Sequence, residues 1–136
     1  MTVSDTTEMI AGMTPVLVPG RWVYCAQTDP DKAATHGAQA CAVIREAEGV
    51  TLILPEDVAQ AHGYDTTVPM RQITLDVFSD LQGVGLTAAV AQALTDENIS
   101  CNVVAAYHHD HVFVPEQDAE RAMAALVAAQ KAAKLD

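Results

Sequence analysis

The residues whose types and spacing could hold a ligand fall in two stretches. Gly83-Val84-Gly85 stands just ahead of a run with helical periodicity that begins at Leu86. Glycines there let backbone approach a bound group closely, and the helix N-terminal amides of Val84, Gly85, Leu86, Thr87 and Ala88 would face a carboxylate. An ordinary tight turn feeding a helix explains the same residues, and spacing alone favours that simpler reading. The stretch is no dinucleotide fingerprint, because Ala88 stands where a third glycine belongs. The second stretch is Tyr107-His108-His109-Asp110-His111. Asp110 could neutralise a ligand ammonium or guanidinium, or serve as a turn residue for local reasons. Tyr107 and His108 border it, and Asp80 is a second, weaker candidate for the cationic end. Asn102 opens a strand expected to lie beside residues 72–79. Its amide could hold a ligand group or pair with backbone, and the sequence does not decide between them.

Catalysis finds less support. His109 and His111 would share a face if both lay in a strand, so two metal ligands could converge. A catalytic metal needs about three protein ligands and an acid or base nearby. There is no HExxH and no Cys/His spacing, so no metal or cofactor is expected. Ser79 and Ser100 lack a nucleophile elbow, and no cysteine has a histidine placed by motif. His36 and His62 are read as loop or helix-end residues without a role.

Several classes are excluded by composition. The formal charge is −11 with seven Lys and Arg in 136 residues, so no basic surface exists to displace counterions from nucleic acid. The same balance disfavours an anionic membrane surface. No apolar run approaches the roughly 20 residues of a membrane helix. Residues 1–13 carry Asp5 and Glu8 and no basic cluster, unlike a secretory signal. Cys25, Cys41 and Cys101 are odd in number and lie in or beside apolar segments, which suits buried thiols in a reducing cytoplasm.

The elements that must position the candidate residues emerge from a repeat. Residues 41–56 lie over residues 101–116 without a gap, at an offset of 60 (Cys41 to Cys101, Pro55 to Pro115). Cys, Val, Pro and Glu recur, and Leu52-Ile53-Leu54 coincides with Val112-Phe113-Val114, which indicates duplication. Each copy reads as strand, polar turn, strand, then Pro opening a helix. The first helix is short, Pro55 to His62, closed by Gly63 as a C-cap. The second runs from about Glu116 to Lys134. Upstream, Ile73, Leu75 and Val77 alternate with polar residues over 72–79, the period of a strand with one buried face. A helix over about 86–97 follows. The second half thus reads β-α-β-β-α, the split order of a ferredoxin-like unit with its last strand missing. The first half has strands at about 13–18 and 21–25, but residues 27–39, with Pro30, Gly37 and no apolar stripe, read as a helix that has decayed. One half lacks a strand and the other has a spare, so the two are expected to share a sheet.

The run from Leu81 to Val104, with its glycine turn, Ala-rich helix and Ile-Ser-x-Asn strand, resembles the regulatory ACT modules of aspartate kinases. The continuation Tyr107-His-His-Asp-His-Val-Phe-Val-Pro-Glu116 is similar to small stand-alone tandem-ACT proteins of bacteria and to cytosolic arginine sensors. The resemblance implies an α+β fold of two ferredoxin-like (βαββαβ) ACT units, with antiparallel sheets and helices on one face. The units would be a degenerate one over 1–67 and a second over 68–136. It also implies a non-catalytic regulatory protein that binds an amino acid or similar small ligand and forms a homodimer, with no nucleic-acid or membrane partner. The ligand residues would be Asp80, Gly83, Val84, Gly85, Leu86, Thr87, Asn102, Tyr107, His108 and Asp110. Two alternatives remain open: an ACT dimerisation module that has lost its ligand, and a small metal-dependent enzyme using His108 to His111.

Overall fold

A computed structural model describes residues 6–76 and 84–135. Val77, expected to face inward, and Asp80 and Gly83, expected to face ligand, lie outside the described residues. The chain divides into two compact units, the larger formed by Met1–Pro19 with Arg71–Asp136 and the smaller by Gly20–Met70.

The larger unit begins with helix α1 (Thr6–Gly12) and strand β1 (Pro15–Leu17). After the smaller unit the chain returns as β5 (Met70–Leu75), then α4 (Leu86–Asp96), β6 (Asn102–Ala105), β7 (Asp110–Pro115), a 3₁₀ turn (Glu116–Asp118) and α5 (Ala119–Leu135). The strand order is β1-β5-β7-β6 in an antiparallel sheet. β1 therefore occupies the fourth-strand place that the second half lacked, pairing Pro15 with Leu75 and Leu17 with Ile73. The inward residues of β5, Ile73 and Leu75, are fully buried beneath Leu86, Val90 and Leu94 of α4 and Ala119, Ala122 and Leu126 of α5. Val112 and Val114 of β7 join that core, as do Met9 and Met13 at the end of α1. α1 was not foreseen. Gln130 of α5 donates to the Ala11 carbonyl at 3.3 Å and ties the two helices together.

The smaller unit runs β2 (Trp22–Gln27), α2 (Pro30–Gly37), β3 (Ala42–Glu46), β4 (Gly49–Pro55) and α3 (Glu56–Ala61). β4 lies between β3 and β2, and Trp22 pairs beyond it with Met70. Val23, Cys25, Leu52, Leu54 and Ala59 form its core. The decayed helix is in fact formed. Asp29 caps it by accepting from the amides of Asp31 and Lys32, and Pro30 takes the first turn, where a missing N–H is harmless. It lacks an apolar stripe because only Ala33 is buried. Gly63 has φ +81 behind α3, the left-handed conformation expected of it.

The repeat carries through to hydrogen bonding. Ala42 pairs with Ile53 and Arg45 with Val50; at the same offset, Asn102 pairs with Phe113 and Ala105 with Asp110. Pro55 and Pro115 have nearly the same dihedrals, φ −53 and −54. In both copies three successive residues of the second strand are buried, 52–54 and 112–114. That marks a strand covered on both faces rather than an alternating one.

Candidate functional site

The candidate residues belong to the larger unit, and its topology sorts them. His111, second residue of β7, sets Nδ1 3.1 Å from both Gln72 Nε2 and Thr74 Oγ1 of β5. Because the sheet is antiparallel, the start of β7 and the Ala106–His109 loop before it lie at the end of β5 from which the chain leaves towards α4. The loop closes with Ala106 N–H donating to the His109 carbonyl at 3.1 Å. The last residues of β5 and the hairpin loop thus share one end of the sheet.

Asn102 does not join them. It pairs with Phe113, three positions along β6 from the Ala105–Asp110 pair, or roughly 10 Å at strand rise. Its strand also does not lie beside β5 as expected, because β7 stands between. The split order forces this: the second strand of the hairpin, not the first, returns to the middle of the sheet.

At the helix start, Gly85 takes φ +106, ψ −20 and makes no side-chain cap. A side chain is strongly disfavoured there, which is why glycine serves. The Gly85 carbonyl accepts from Ala89 N–H at 2.9 Å and opens the helical ladder. The amides of the first turn precede that ladder and have no partner within the helix. Val84 is 79% exposed and Thr87 is exposed, whereas the Leu86 side chain is 4% exposed and turned into the core. Leu86 can therefore contribute only its amide.

Asp110 differs most from its expected surroundings. It is not an exposed turn residue but the first residue of β7, 8% exposed, and it is the buried charged residue among those described. No hydrogen bond to its carboxylate occurs among the described residues. Burial pushes its carboxyl pKa above the ordinary range, and the neighbouring His111 and His109 only partly oppose this. Burial lowers that of His111, with His109 adding repulsion. Tyr107 is 73% exposed, with its ring edge-on to His108 at 5.1 Å. His108 and His109 have ring centroids 6.4 Å apart. His109 lies in the loop and His111 is turned to Gln72 and Thr74, so the two do not act as paired strand neighbours. Among the described residues no group of three or more His, Cys, Asp or Glu side chains could hold a metal ion.

Sequence reasoning missed the burial of Asp110 and weighed His111 only as a metal ligand, whereas its partners Gln72 and Thr74 sit on the polar positions of a strand already recognised. The alternation of β5 was the available signal: it sends Gln72 and Thr74 to the face opposite the helices, where an adjacent strand must answer them.

Two family profiles, each described as the ACT domain, match residues 2–71 and 67–128. No curated protein matches the chain. Among solved structures, a protein of unknown function from Vibrio cholerae is 36% identical, with TM-score 0.81 over 91% of this chain and 94% of its own. An Agrobacterium tumefaciens protein is 15% identical, with TM-score 0.69 over 87% of this chain and 89% of its own. The regulatory subunit of aspartate kinase from Thermus flavus is 13% identical, with TM-score 0.63 over 85% of this chain and 96% of its own. The last two show the fold alone. No helix among the described residues is long and apolar enough to cross a membrane. A sheet closed by a borrowed N-terminal strand, a duplicated hairpin in one register and two matching profiles lead to one assignment: the chain belongs to the ACT-domain family and carries the domain in tandem.

Proposed function

We propose that this ACT pair is a non-catalytic regulatory sensor that binds an amino acid at the β5–α4 and β6–β7 end of the larger unit. The family units run over 1–67 and 68–136, and β1 of the first pairs with β5 of the second. Asp110 carries the reading. Burial raises its carboxyl pKa and disfavours the charged form, and a ligand ammonium or guanidinium would offset that cost. The first-turn amides behind Gly85, with Val84 and Thr87, would face the ligand carboxylate, a role the sequence pattern also gives to Gly83. Tyr107 and His108 would border the cationic end, where the sequence pattern also puts Asp80, and Asn102 would contribute through β6 and not by direct contact. The similarity to aspartate kinase regulatory subunits supports a regulatory output. The free cysteines suit the reducing cytoplasm. Among the described residues the outer edges of β3 and β6 pair with no further strand, which suits assembly as a homodimer, since exposed edges are normally covered.

The test is a thermal-shift panel of the amino acids on the full chain. A true ligand at 100 times its Kd adds about 2.7 kcal/mol. A chain unmoved by every amino acid would be a dimerisation module without a ligand. Turnover that a chelator abolishes would revive the metal enzyme, against the absence of a metal-binding group among the described residues.

A further inference from the structure

A group of side chains in the smaller unit has no part in the proposed site. Gln27 ends β2, His36 lies in the last turn of α2, His62 follows α3, and Tyr64 comes two residues later. Asp29 N–H donates to Gln27 Oε1 at 3.0 Å. That contact fixes the amide orientation, so Gln27 Nε2 donates to Tyr64 Oη at 2.9 Å. Tyr64 Oη is then an acceptor towards Gln27, and its own hydrogen is left for His36 Nδ1, 2.6 Å away. A chain of that polarity requires the neutral imidazole with Nδ1 bare and the proton on Nε2. The His62 ring stacks on His36 at 3.8 Å and 22°, while the Tyr64 ring meets it edge-on at 5.5 Å.

We propose that His36, Tyr64 and His62 form a proton-operated latch between the ends of α2 and α3, closed while His36 is neutral and opened when its ring is protonated. The proton comes from solvent and enters at Nδ1. Two hydrogens then compete for the space between Nδ1 and Oη, and the Tyr64 hydroxyl hydrogen loses its acceptor. The new cation also lies against the His62 ring. The charged and titratable groups acting on His36 are His62 from the end of α3 and Lys32 one turn earlier in α2, and neither stabilises a cation. From β2 the group facing the cluster is the neutral Gln27 amide. The carboxylates on the flanking segments are committed elsewhere: Asp29 to the amides of Asp31 and Lys32, and Asp65 to the amide of Thr67. Burial, then His62, then Lys32 lower the His36 pKa from 6.5. A lowered histidine contributes stability that is full above its unfolded value and is lost as pH falls below it. The latch therefore opens on the acid side of 6.5.

The experiment is nitrogen-edited NMR of the histidine rings of the full chain, with amide hydrogen exchange at about pH 7.5 and about pH 5. The expected result is a His36 ring protonated on Nε2 at the higher pH, with a titration midpoint below 6.5. Below it, amides of residues 33–37 should exchange about tenfold faster after correction for intrinsic rates, while those of α4 do not. Tyr64→Phe should raise the His36 midpoint, because the neutral ring loses its donor. His36→Gln keeps an acceptor for Tyr64 but takes no proton, and should abolish the acid acceleration. A ring protonated on Nδ1 at the higher pH, an unmoved midpoint in Tyr64→Phe, or acceleration that survives in His36→Gln would each overturn the latch. Tautomer and midpoint are read on the unmodified chain, so they decide the matter even if a variant folds poorly.

Discussion

Asp110→Asn separates function from stability, because the two should move in opposite directions. The substitution keeps the shape of the side chain and the backbone pair with Ala105. It removes a charge from a position only 8% exposed, where burial has raised the carboxyl pKa. A group whose folded pKa is raised contributes stability below its unfolded value and loses it as pH rises through the folded value. At neutral pH the ionised Asp110 therefore weakens the fold, and Asn should melt no lower than the parent. For ligand binding the sign reverses. Removing one member of a buried charged pair costs about 2–5 kcal/mol, a loss of roughly 30-fold to a few thousand-fold in affinity. Calorimetry measures the affinity, and thermal melts from about pH 4 to pH 8 measure the stability. The gap in favour of Asn should widen as pH rises. A variant that binds with unchanged affinity, or melts well below the parent at neutral pH, would show that Asp110 serves the fold and not a ligand.

Other outcomes test the framework around the site. Leu126→Ala empties a fully buried position between α5 and the sheet and should cost about 2–5 kcal/mol in urea unfolding of the larger unit. Gly85→Ala places a Cβ at φ +106 and should cost about 1–2 kcal/mol by the same measurement, more if the connection cannot relax. Asp29→Ala removes the cap of α2 and should cost about 0.5–2 kcal/mol, seen as faster amide exchange in α2 with α4 unaffected.

Much of this architecture was legible in the sequence because its signals are local. Proline after an apolar run placed the start of both post-hairpin helices, and the 60-residue offset anticipated two hairpins in one register. The alternation of Ile73 and Leu75 fixed the buried face of β5. What escaped depends on partners distant in the chain. α1 buries Met9, with Met13 one turn on just past its end, a pattern too short to declare a period. α2 carried the Asp29-Pro30 start signal, but its lone buried Ala33 gave no stripe to confirm it. Asp110 was read as a turn residue because aspartate is common in turns. The chain enters β7 one residue earlier than that reading allowed, and the carboxylate is buried as a result. His36, His62 and Tyr64 come together only through folding, and spacing could not join them.

The pairing of β1 with the distant β5 also bears on how the protein is made. Pro15 must wait for Leu75, its partner in β5, and translation at about 5–20 residues per second leaves β1 unpaired for roughly 3 to 12 seconds. During that interval the whole of Gly20–Met70 emerges and can fold as a nested insert. The larger unit can close its sheet only afterwards. β1 is three residues long, and Val16 stays 46% exposed even when paired, so the waiting segment offers a poor template for a wrong partner. A brief, forgettable strand suits a chain whose first contribution to a sheet must wait for its partner.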